Sequence, residues 1–377
     1  MLKAALFSAD SGLANLLRRM ADESNEFTLA AMVDHALTGY DVARTLNTLT
    51  PDVILLELTN PDRDLPHAAG IHEYAPDTPI VGLASRDLQP IVDANPEYGV
   101  SSLAIWPFDV LGLEQAIERA VHRGGGKIHQ NLVTLLPGKA GSGATTVVLH
   151  TAAMVAAEVK QKVLVMEADL HSGVLATFLN LKPSLSIRHA LAASPEMDPR
   201  FWAQHVVSAH GVDFLLADPA LKEPIPSWTH YYQLLRFATP RYSLILVDLP
   251  EVVNSATAET VRTARIVYVV STAELASLRL AQQRCQELER WGVQSDRVQV
   301  ILNRWHRSDM SPQEAEEILE RPVGFRFHND YRALQQAIMK AAPVDTGSEL
   351  GDDYLKFARL VTGTQPAKKG IMGLFRK

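Results

Sequence analysis

The sequence has few of the features that mark secreted or membrane-spanning proteins. It contains one cysteine, Cys285, which excludes an internal disulfide and favours a reducing compartment. No stretch of about 18 uncharged apolar residues is present, so we expect no membrane-spanning helix. The N-terminal segment reaches Asp10 before an apolar stretch of signal-peptide length is complete. We therefore expect a cytoplasmic protein.

The chain also lacks an excess of positive charge. It carries 36 basic and 43 acidic residues, for a formal net charge of -7 with histidine neutral. Because a bulk positive field is absent, we expect no nucleic-acid partner. Hydrophobic residues make up 47% and charged residues 21%, which is typical of globular chains and excludes wholesale disorder. At 377 residues, the length suggests two or three domains.

The first 123 residues alternate apolar segments of strand length with amphipathic helices. The predicted strands are residues 2–7, 27–32, 53–56, 79–83 and 103–105. Strands that alternate with helices predict a parallel sheet covered on both faces, and five of them match the size of a flavodoxin-like unit. Residues 124–130, which begin with three consecutive glycines, predict a linker.

A second α/β pattern follows over residues 131–365. Its predicted strands are continuous apolar runs, as expected for strands buried on both faces: residues 132–136, 163–166, 214–216, 244–247, 266–270 and 298–302. The predicted helices are residues 146–159, 273–291, 330–340 and 352–361. The fold class is therefore α/β, with two doubly wound parallel-sheet domains. Residues 366–377 form a basic tail that also contains apolar residues.

A glycine-rich loop joins the first strand of the second domain to its first helix. Compared with the phosphate-binding pattern G-x-x-x-x-G-K-S/T, it has both glycines and the hydroxyl but an alanine in place of the lysine. Such a loop wraps backbone N–H groups around a phosphate in front of a helix N-terminus. The candidate nucleotide-binding residues are Gly138, Lys139, Ala140, Gly141, Ser142, Gly143, Ala144, Thr145 and Thr146, with Thr145 also a candidate Mg²⁺ ligand.

Together with three later motifs, this loop resembles the MinD/ParA family. Lys139 stands where that family carries its signature lysine. The segment that ends in Glu167-Ala168-Asp169 resembles the family's D-x-D switch, Asp248 ends a Walker B strand, and Asn303-Arg304 end a later strand. The resemblance implies ATP and Mg²⁺ as ligands. It implies Asp169 as the catalytic group that polarises water, Asp248 as a Mg²⁺ ligand, and Asn303 with Arg304 at the adenine.

Each of these residues also has a purely structural interpretation. In this interpretation Asp169 is the N-cap of a helix, Asp248 is a polar residue that ends its strand, and Asn303 is a turn residue. The replacement of the loop lysine by Ala144 matters most, because that lysine normally neutralises charge on the β- and γ-phosphates. We therefore expect weak ATP hydrolysis or none.

The first domain resembles the receiver domains of response regulators, but without their chemistry. The acidic positions after the first strand hold Ser8 and Ala9, and the phosphoacceptor position holds Glu57. Ala84 replaces the hydroxyl and Trp106 the lysine. Because phosphoryl transfer depends on that clustered charge, we interpret the domain as a pseudo-receiver used for docking or dimerisation.

The two domains in this order resemble the CpaE/TadZ family of pilus localisation factors. The resemblance implies a homodimer bridged by ATP, with Lys139 reaching the partner's nucleotide. It also implies pilus secretion and assembly proteins of the type IVb (Flp/Tad) system as partners, at the inner membrane or the cell pole. Two other hypotheses are a cycling MinD/ParA-type ATPase and a DNA-associated partitioning protein, which the acidic net charge disfavours. The basic tail has two interpretations, peripheral membrane contact and a solvated terminus.

Overall fold

A computed structural model describes residues 1–33, 39–122, 128–221, 226–254 and 257–364. The chain forms two compact units, Met1–Lys127 with Ser227–Gln233 and Ile128–Pro226 with Leu234–Lys377. Most of the predicted linker, residues 124–127, lies outside the described residues, as does the predicted tail, residues 366–377. In the part of the chain that the structure describes, no helix is both long and apolar enough to cross a membrane.

The first unit is built on a parallel five-stranded sheet. Its strands are β1 (Leu2–Phe7), β2 (Phe27–Val33), β3 (Val53–Leu58), β4 (Ile80–Ala84) and β5 (Val100–Ile105). Its helices are α1 (Ser11–Glu23), α2 (Tyr40–Leu49), α3 (Pro61–Tyr74), α4 (Gln89–Ala94) and α5 (Val110–Val121). The strand order is β2-β1-β3-β4-β5, which is the flavodoxin-like order. The fold predicted for this part of the chain is therefore confirmed.

Helix α1 shows how the local sequence determines an element of this unit. Asp10 caps the helix, because its side chain accepts a 2.7 Å hydrogen bond from the backbone N–H of Gly12. Leu13, Leu17 and Met20 recur at helical spacing and are buried against the sheet. The apolar stripe in the sequence is thus the face that packs on the core.

A segment from much later in the chain completes the first unit. Residues Ser227–Gln233 belong to this unit, and Trp228 is part of its apolar core with only 6% of its surface exposed. The indole ring lies 5.0 Å from the ring of His122. The side-chain amide of Gln233 donates a 2.7 Å hydrogen bond to the carbonyl of Met1. The apolar pattern of the sequence does not indicate that this later segment packs with the first unit.

The second unit contains an eight-stranded sheet. Its strands are β6 (His129–Pro137), β7 (Val163–Glu167), β8 (Val207–Ala209), β9 (Val212–Leu215), β10 (Leu244–Asp248), β11 (Ala264–Ser271), β12 (Val298–Trp305) and β13 (Val323–His328). The α-helices that follow β6 along the chain are α6 (Ala144–Met154), α7 (Leu175–Phe178), α8 (Ile187–Ala192), α9 (Pro199–His205), α10 (Trp228–Ala238), α11 (Ala258–Thr263), α12 (Leu275–Arg290), α13 (Pro312–Leu319), α14 (Tyr331–Met339) and α15 (Glu349–Thr362). Of α10, the residues up to Gln233 belong to the first unit and those from Leu234 to the second.

The strand order of this sheet is β13-β12-β11-β6-β10-β7-β9-β8. Only the pairing of β8 with β9 is antiparallel among the described strands. Strand β6 lies between β10 and β11, and the later strands are added to the sheet on both sides of it. In such sheets, ligands bind outside the carboxyl ends of the strands where the order reverses. The loop after β6 is at that edge.

Two strands and one helix differ from the sequence-based prediction. Strands β8 and β13 were not predicted. Strand β8 has only three residues, and β13, at the sheet edge, alternates partly buried with exposed positions instead of forming a continuous apolar run. Helix α6 begins at Ala144 instead of residue 146, directly after the glycine-rich loop. It ends at Met154 and continues as a π-helical turn over Val155–Val159.

Candidate functional site

The glycine-rich loop joins β6 to α6 in a conformation that depends on its glycines. Gly141 and Gly143 have φ angles of 80° and 94°, which side chains with a Cβ rarely adopt. Gly138 lies so close to α12 that a Cβ built on it would be 2.8 Å from the Cβ of Ala281. The backbone N–H of Ser142 donates a 3.1 Å hydrogen bond to the carbonyl of Lys139, which closes the turn. The loop is therefore a compact turn in front of the N-terminus of a buried helix.

Asn303 on β12 supports this loop from the side. Its side-chain N–H donates a 2.7 Å hydrogen bond to the carbonyl of Ser142, and the residue is buried. A Cβ built on Gly143 would be 2.4 Å from Nδ2 of Asn303, so the two residues pack without space between them. The contact of Asn303 with the loop was not predicted from the sequence. Its reading of adenine stays a prediction.

Asp248 is the last residue of β10, and among the carboxyl groups of the site its pKa is shifted the most. It is 2% exposed, and its side chain hydrogen-bonds the side chain of Thr145. None of the described residues hydrogen-bonds its Oδ1 atom. Burial raises the pKa of Asp248, the Thr145 hydrogen bond lowers it, and the nearby charges of Glu167 and Asp169 raise it, so that the pKa is about 8.

A buried carboxylate oxygen without a partner is unfavourable unless a ligand satisfies it. Hard cations such as Mg²⁺ take carboxylate and hydroxyl oxygens as ligands. Asp248 and Thr145 therefore fit a Mg²⁺ ion, and the turn of residues 138–146 fits the phosphates that such an ion accompanies. Thr146, next to Thr145, is half-buried in the first turn of α6.

Glu167, the last residue of β7, holds two other loops in place. Its carboxylate is fully buried and accepts 2.8 Å hydrogen bonds from the backbone N–H groups of Leu175 and Ala217. Gly173 packs on it so closely that a Cβ there would be 2.8 Å from Cδ of Glu167. Burial raises the pKa of Glu167, while these hydrogen bonds lower it. This supporting role was not predicted from the sequence.

Asp169 lies two residues beyond β7 and forms a turn. Its Oδ1 atom accepts hydrogen bonds from the backbone N–H groups of His171, at 3.2 Å, and Ser172, at 2.9 Å. The side chain is half-buried, and its charge acts on Asp248. The structure therefore brings Asp169 near the Asp248 carboxyl, and its action on water stays a prediction.

The two loop positions that decide the charge of the site differ in their environment. Ala144 is 3% exposed and is part of the core of the second unit. The side chain of Lys139 is 46% exposed, and its Nζ atom lies 3.9 Å from Oε2 of the exposed Glu274. This distance and exposure give a weak ion pair that is easily exchanged for another partner. Ala140, between the two, is exposed.

Among the described residues of the first unit, no cluster of carboxylates at the corresponding edge could hold a cation. Glu57 accepts a 2.6 Å hydrogen bond from the hydroxyl of Ser8, which itself accepts one from the backbone N–H of Asp10. Ala84 is fully buried. Trp106 is 38% exposed, and its ring lies 4.2 Å from that of the half-buried Phe108.

Neither a family model nor a curated protein matches the sequence. Solved structures do match. A ParA family ATPase from Chlorobium tepidum has a TM-score of 0.57 at 21% identity, over 60% of this chain and 98% of its own. The MinD cell division protein of Aquifex aeolicus has a TM-score of 0.51 at 19% identity, over 62% of this chain and 98% of its own. A variant of McdA from Cyanothece, in complex with ATP, has a TM-score of 0.50 at 16% identity, over 63% and 98%.

These similarities establish a fold. The chain contains the fold of ParA- and MinD-type P-loop ATPases, over a share of its length close to that of the second unit. The sequence-based prediction of this fold is confirmed. The resemblance of the first unit to receivers, and of the whole chain to CpaE/TadZ proteins, stays a prediction.

Proposed function

We propose that the second unit binds Mg²⁺-ATP in the turn of residues 138–146 and that the nucleotide links two copies of the chain. The observation that carries this proposal is Asp248, a buried carboxylate at the base of a glycine-rich turn with one oxygen that no described residue satisfies. Asp248 and Thr145 would hold the Mg²⁺ ion, and Asn303 and Arg304 would lie at the nucleotide's other end. A bound Mg²⁺ ion neutralises phosphate charge.

Hydrolysis in this proposal is slow or absent. The loop position that normally supplies a lysine to the β- and γ-phosphates is a buried alanine, Ala144. Catalysis of phosphoryl transfer is mainly stabilisation of charge on those phosphates. Loss of the lysine therefore lowers the rate of hydrolysis more than it lowers the affinity for ATP. Bound ATP then acts chiefly as a link between subunits.

Lys139 would provide that link. Among the described residues, its ammonium group pairs only with the exposed Glu274, at 3.9 Å, so a weak interaction is lost when it moves. A charge-assisted hydrogen bond to a phosphate of the partner subunit contributes about 1.5–3 kcal/mol. Two such contacts in a symmetric dimer contribute about 3–6 kcal/mol, or roughly two to four decades in dimer affinity.

The biological role that we propose is a scaffold that positions or recruits a type IVb (Flp/Tad) pilus assembly machine. It is supported by the order of the two units and by the loop sequence Gly-Ser-Gly-Ala-Thr-Thr of residues 141–146. The first unit, with Glu57 hydrogen-bonded to Ser8, would serve as a docking or dimerisation module. The partners would be pilus secretion and assembly proteins at the inner membrane or the cell pole. The basic tail would add peripheral membrane contact.

Light scattering coupled to size exclusion, with and without Mg²⁺-ATP, tests the nucleotide-linked dimer. We expect Mg²⁺-ATP to convert wild-type monomer to dimer and Lys139→Ala to remain monomeric while folded. Lys182→Ala, which removes another exposed lysine of the second unit, is the matched control and should dimerise like wild type. A Lys139→Ala protein that still dimerises with ATP would contradict the link.

Steady-state release of phosphate separates the scaffold from a cycling ATPase. Ala144→Lys restores the lysine that family members use, so its turnover should exceed that of wild type if the natural protein is a scaffold. Equal turnover of the two proteins would show instead that wild type is already a functional ATPase.

A further inference from the structure

Residues Ser227–Gln233, which we call the returning segment, cover a carboxyl group of the first unit. Glu26 directly precedes β2, and its side chain hydrogen-bonds the side chains of Ser227 and Thr229. Trp228, between these two residues, is buried in the core of the same unit. Glu26 is half-buried, and none of the described residues hydrogen-bonds its buried Oε2 atom. The returning segment therefore holds this carboxyl group partly out of water.

Two further carboxylates act on Glu26 from helix α5. They are Glu114 and Glu118, whose charges disfavour a negative charge on Glu26. The hydroxyl of Ser24 links this group, because it donates a 2.7 Å hydrogen bond to Oε1 of Glu114 and accepts one of 3.0 Å from the backbone N–H of Glu26. The N-terminal amino group is also near. Burial lowers its pKa, and the charges of Asp52 and Glu26 raise it.

This environment favours the neutral form of Glu26. Burial raises the pKa of Glu26, and the charges of Glu114 and Glu118 raise it further. The hydrogen bonds with Ser227 and Thr229 lower it, and the resulting pKa is about 7 against an ordinary value of 4.5. The docked state therefore binds the proton more tightly than a state in which the segment is released. Docking gains stability from this proton at low pH and loses it as pH rises from about 4.5 to about 7.

Two histidines also contact the returning segment. The ring of His122 lies 5.0 Å from that of Trp228, and Nδ1 of His230 lies 3.0 Å from Oγ of Ser227. Burial lowers the pKa of His230, the N-terminal charge lowers it further, and a backbone hydrogen bond at Ser227 raises it. The docked state thus favours neutral His230, which promotes release as pH falls. Its effect is opposite in sign to that of Glu26, so the two can be separated.

We propose that Glu26 is a proton-operated latch that holds the returning segment on the first unit. The hydroxyls of the segment can donate to the carboxylate or accept from the neutral acid, so the two forms of Glu26 differ mainly in charge. A charged Glu26 beside Glu114 and Glu118 gains by hydration, which increases the fraction of molecules with the segment released. Helix α10 begins in this segment, and its residues from Leu234 belong to the second unit. The latch thus acts where the chain passes from one unit to the other.

Hydrogen–deuterium exchange of the full chain between pH 6 and pH 8.5 measures release of the returning segment. The rates are corrected for the intrinsic pH dependence of exchange. In wild type, protection of residues 227–233 should fall as pH rises. The two pKa values of Glu26 give about tenfold as the upper bound over this range, and solvent screening of a half-buried group reduces it to several-fold.

Three variants assign this loss to a group. Glu26→Gln keeps the shape and the hydrogen bonds without the charge, so protection of residues 227–233 should no longer fall up to pH 8.5. Glu114→Gln removes one like charge and should move the midpoint of the loss to lower pH. Glu23→Gln removes an exposed carboxylate at the end of α1 and, as the matched control, should behave as wild type.

Three outcomes would overturn the latch. The first is wild-type protection of residues 227–233 that does not change with pH. The second is a loss of protection in Glu26→Gln that equals the loss in wild type. The third is protection that decreases as pH falls, which would assign the pH dependence to His230 instead of Glu26.

Discussion

Substitution of Asp248 by asparagine should stabilise the protein without ligand and abolish its stabilisation by Mg²⁺-ATP. The carboxyl group is buried under the loop, and its pKa is raised from 3.8 to about 8. The folded state therefore keeps a proton that the unfolded state releases at pH values above about 4. The stability that comes from this proton is present at low pH and is lost as pH rises from about 4 to about 8.

The pKa shift of Asp248 sets the size of the change in the free energy of unfolding. Four pKa units at about 1.36 kcal/mol each give an upper bound of about 5 kcal/mol between pH 4 and pH 8. Asparagine is neutral and of the same shape, so Asp248→Asn should match wild type near pH 4 and gain on it progressively as the pH rises to 8. In a domain of about 150–250 residues, the size class of the second unit, a gain of about 2 kcal/mol corresponds to roughly 4–8 °C in melting temperature.

Thermal unfolding from pH 5 to pH 8.5, with and without Mg²⁺-ATP, measures both effects. The difference between variant and wild type isolates Asp248 from the other groups that titrate in this range. Ligand at a hundred times its dissociation constant should stabilise wild type by about 2.7 kcal/mol and the variant by none. A difference that does not grow with pH, or a variant that Mg²⁺-ATP stabilises as much as wild type, would refute the reasoning.

Three further predictions concern the loop, its support and the first unit. Gly143→Ala should lower the free energy of unfolding in urea by about 2 kcal/mol more than Gly141→Ala does. Both glycines have positive φ angles, but only a Cβ at residue 143 would contact Asn303. Equal losses would contradict this prediction. Glu167→Ala should lower the free energy of unfolding by about 2–4 kcal/mol, since two buried N–H groups lose their acceptor. Glu167→Gln should lower it by less. An alanine variant as stable as wild type would disprove this prediction. Acetyl phosphate should leave residues 1–123 unmodified, since Glu57 is hydrogen-bonded to Ser8, and intact-mass spectrometry would reveal any phosphoryl adduct.

The fold of both units could be predicted because their patterns are local. Strands such as β6 and β10 are short apolar runs that end in polar or glycine residues, and their order along the chain restricts the sheet. The loop could be found for the same reason, since its glycines follow a strand and precede a helix. The edge strand β13 escaped detection because half-buried strands lack a continuous apolar run.

The supporting contacts of the site could not be predicted, because they join residues far apart in the chain. Asn303 reaches the carbonyl of Ser142, and Glu167 reaches the backbone of Ala217. The sequence marks both residues as polar positions at strand ends but does not say which groups they contact. The left-handed angle of Arg304 has no sequence signal either, because arginine is not a residue that favours it.

Trp228 limits how the first unit can be used as a fragment. Its indole belongs to the core of that unit, although it lies more than a hundred positions beyond the unit's main stretch, Met1–Lys127. A truncated gene product that stops at the glycines would therefore expose the apolar surface that Trp228 covers, which favours aggregation. Transplanting this unit onto another protein would require grafting Ser227–Gln233 with it. Evolution by simple exchange of the N-terminal module faces the same requirement.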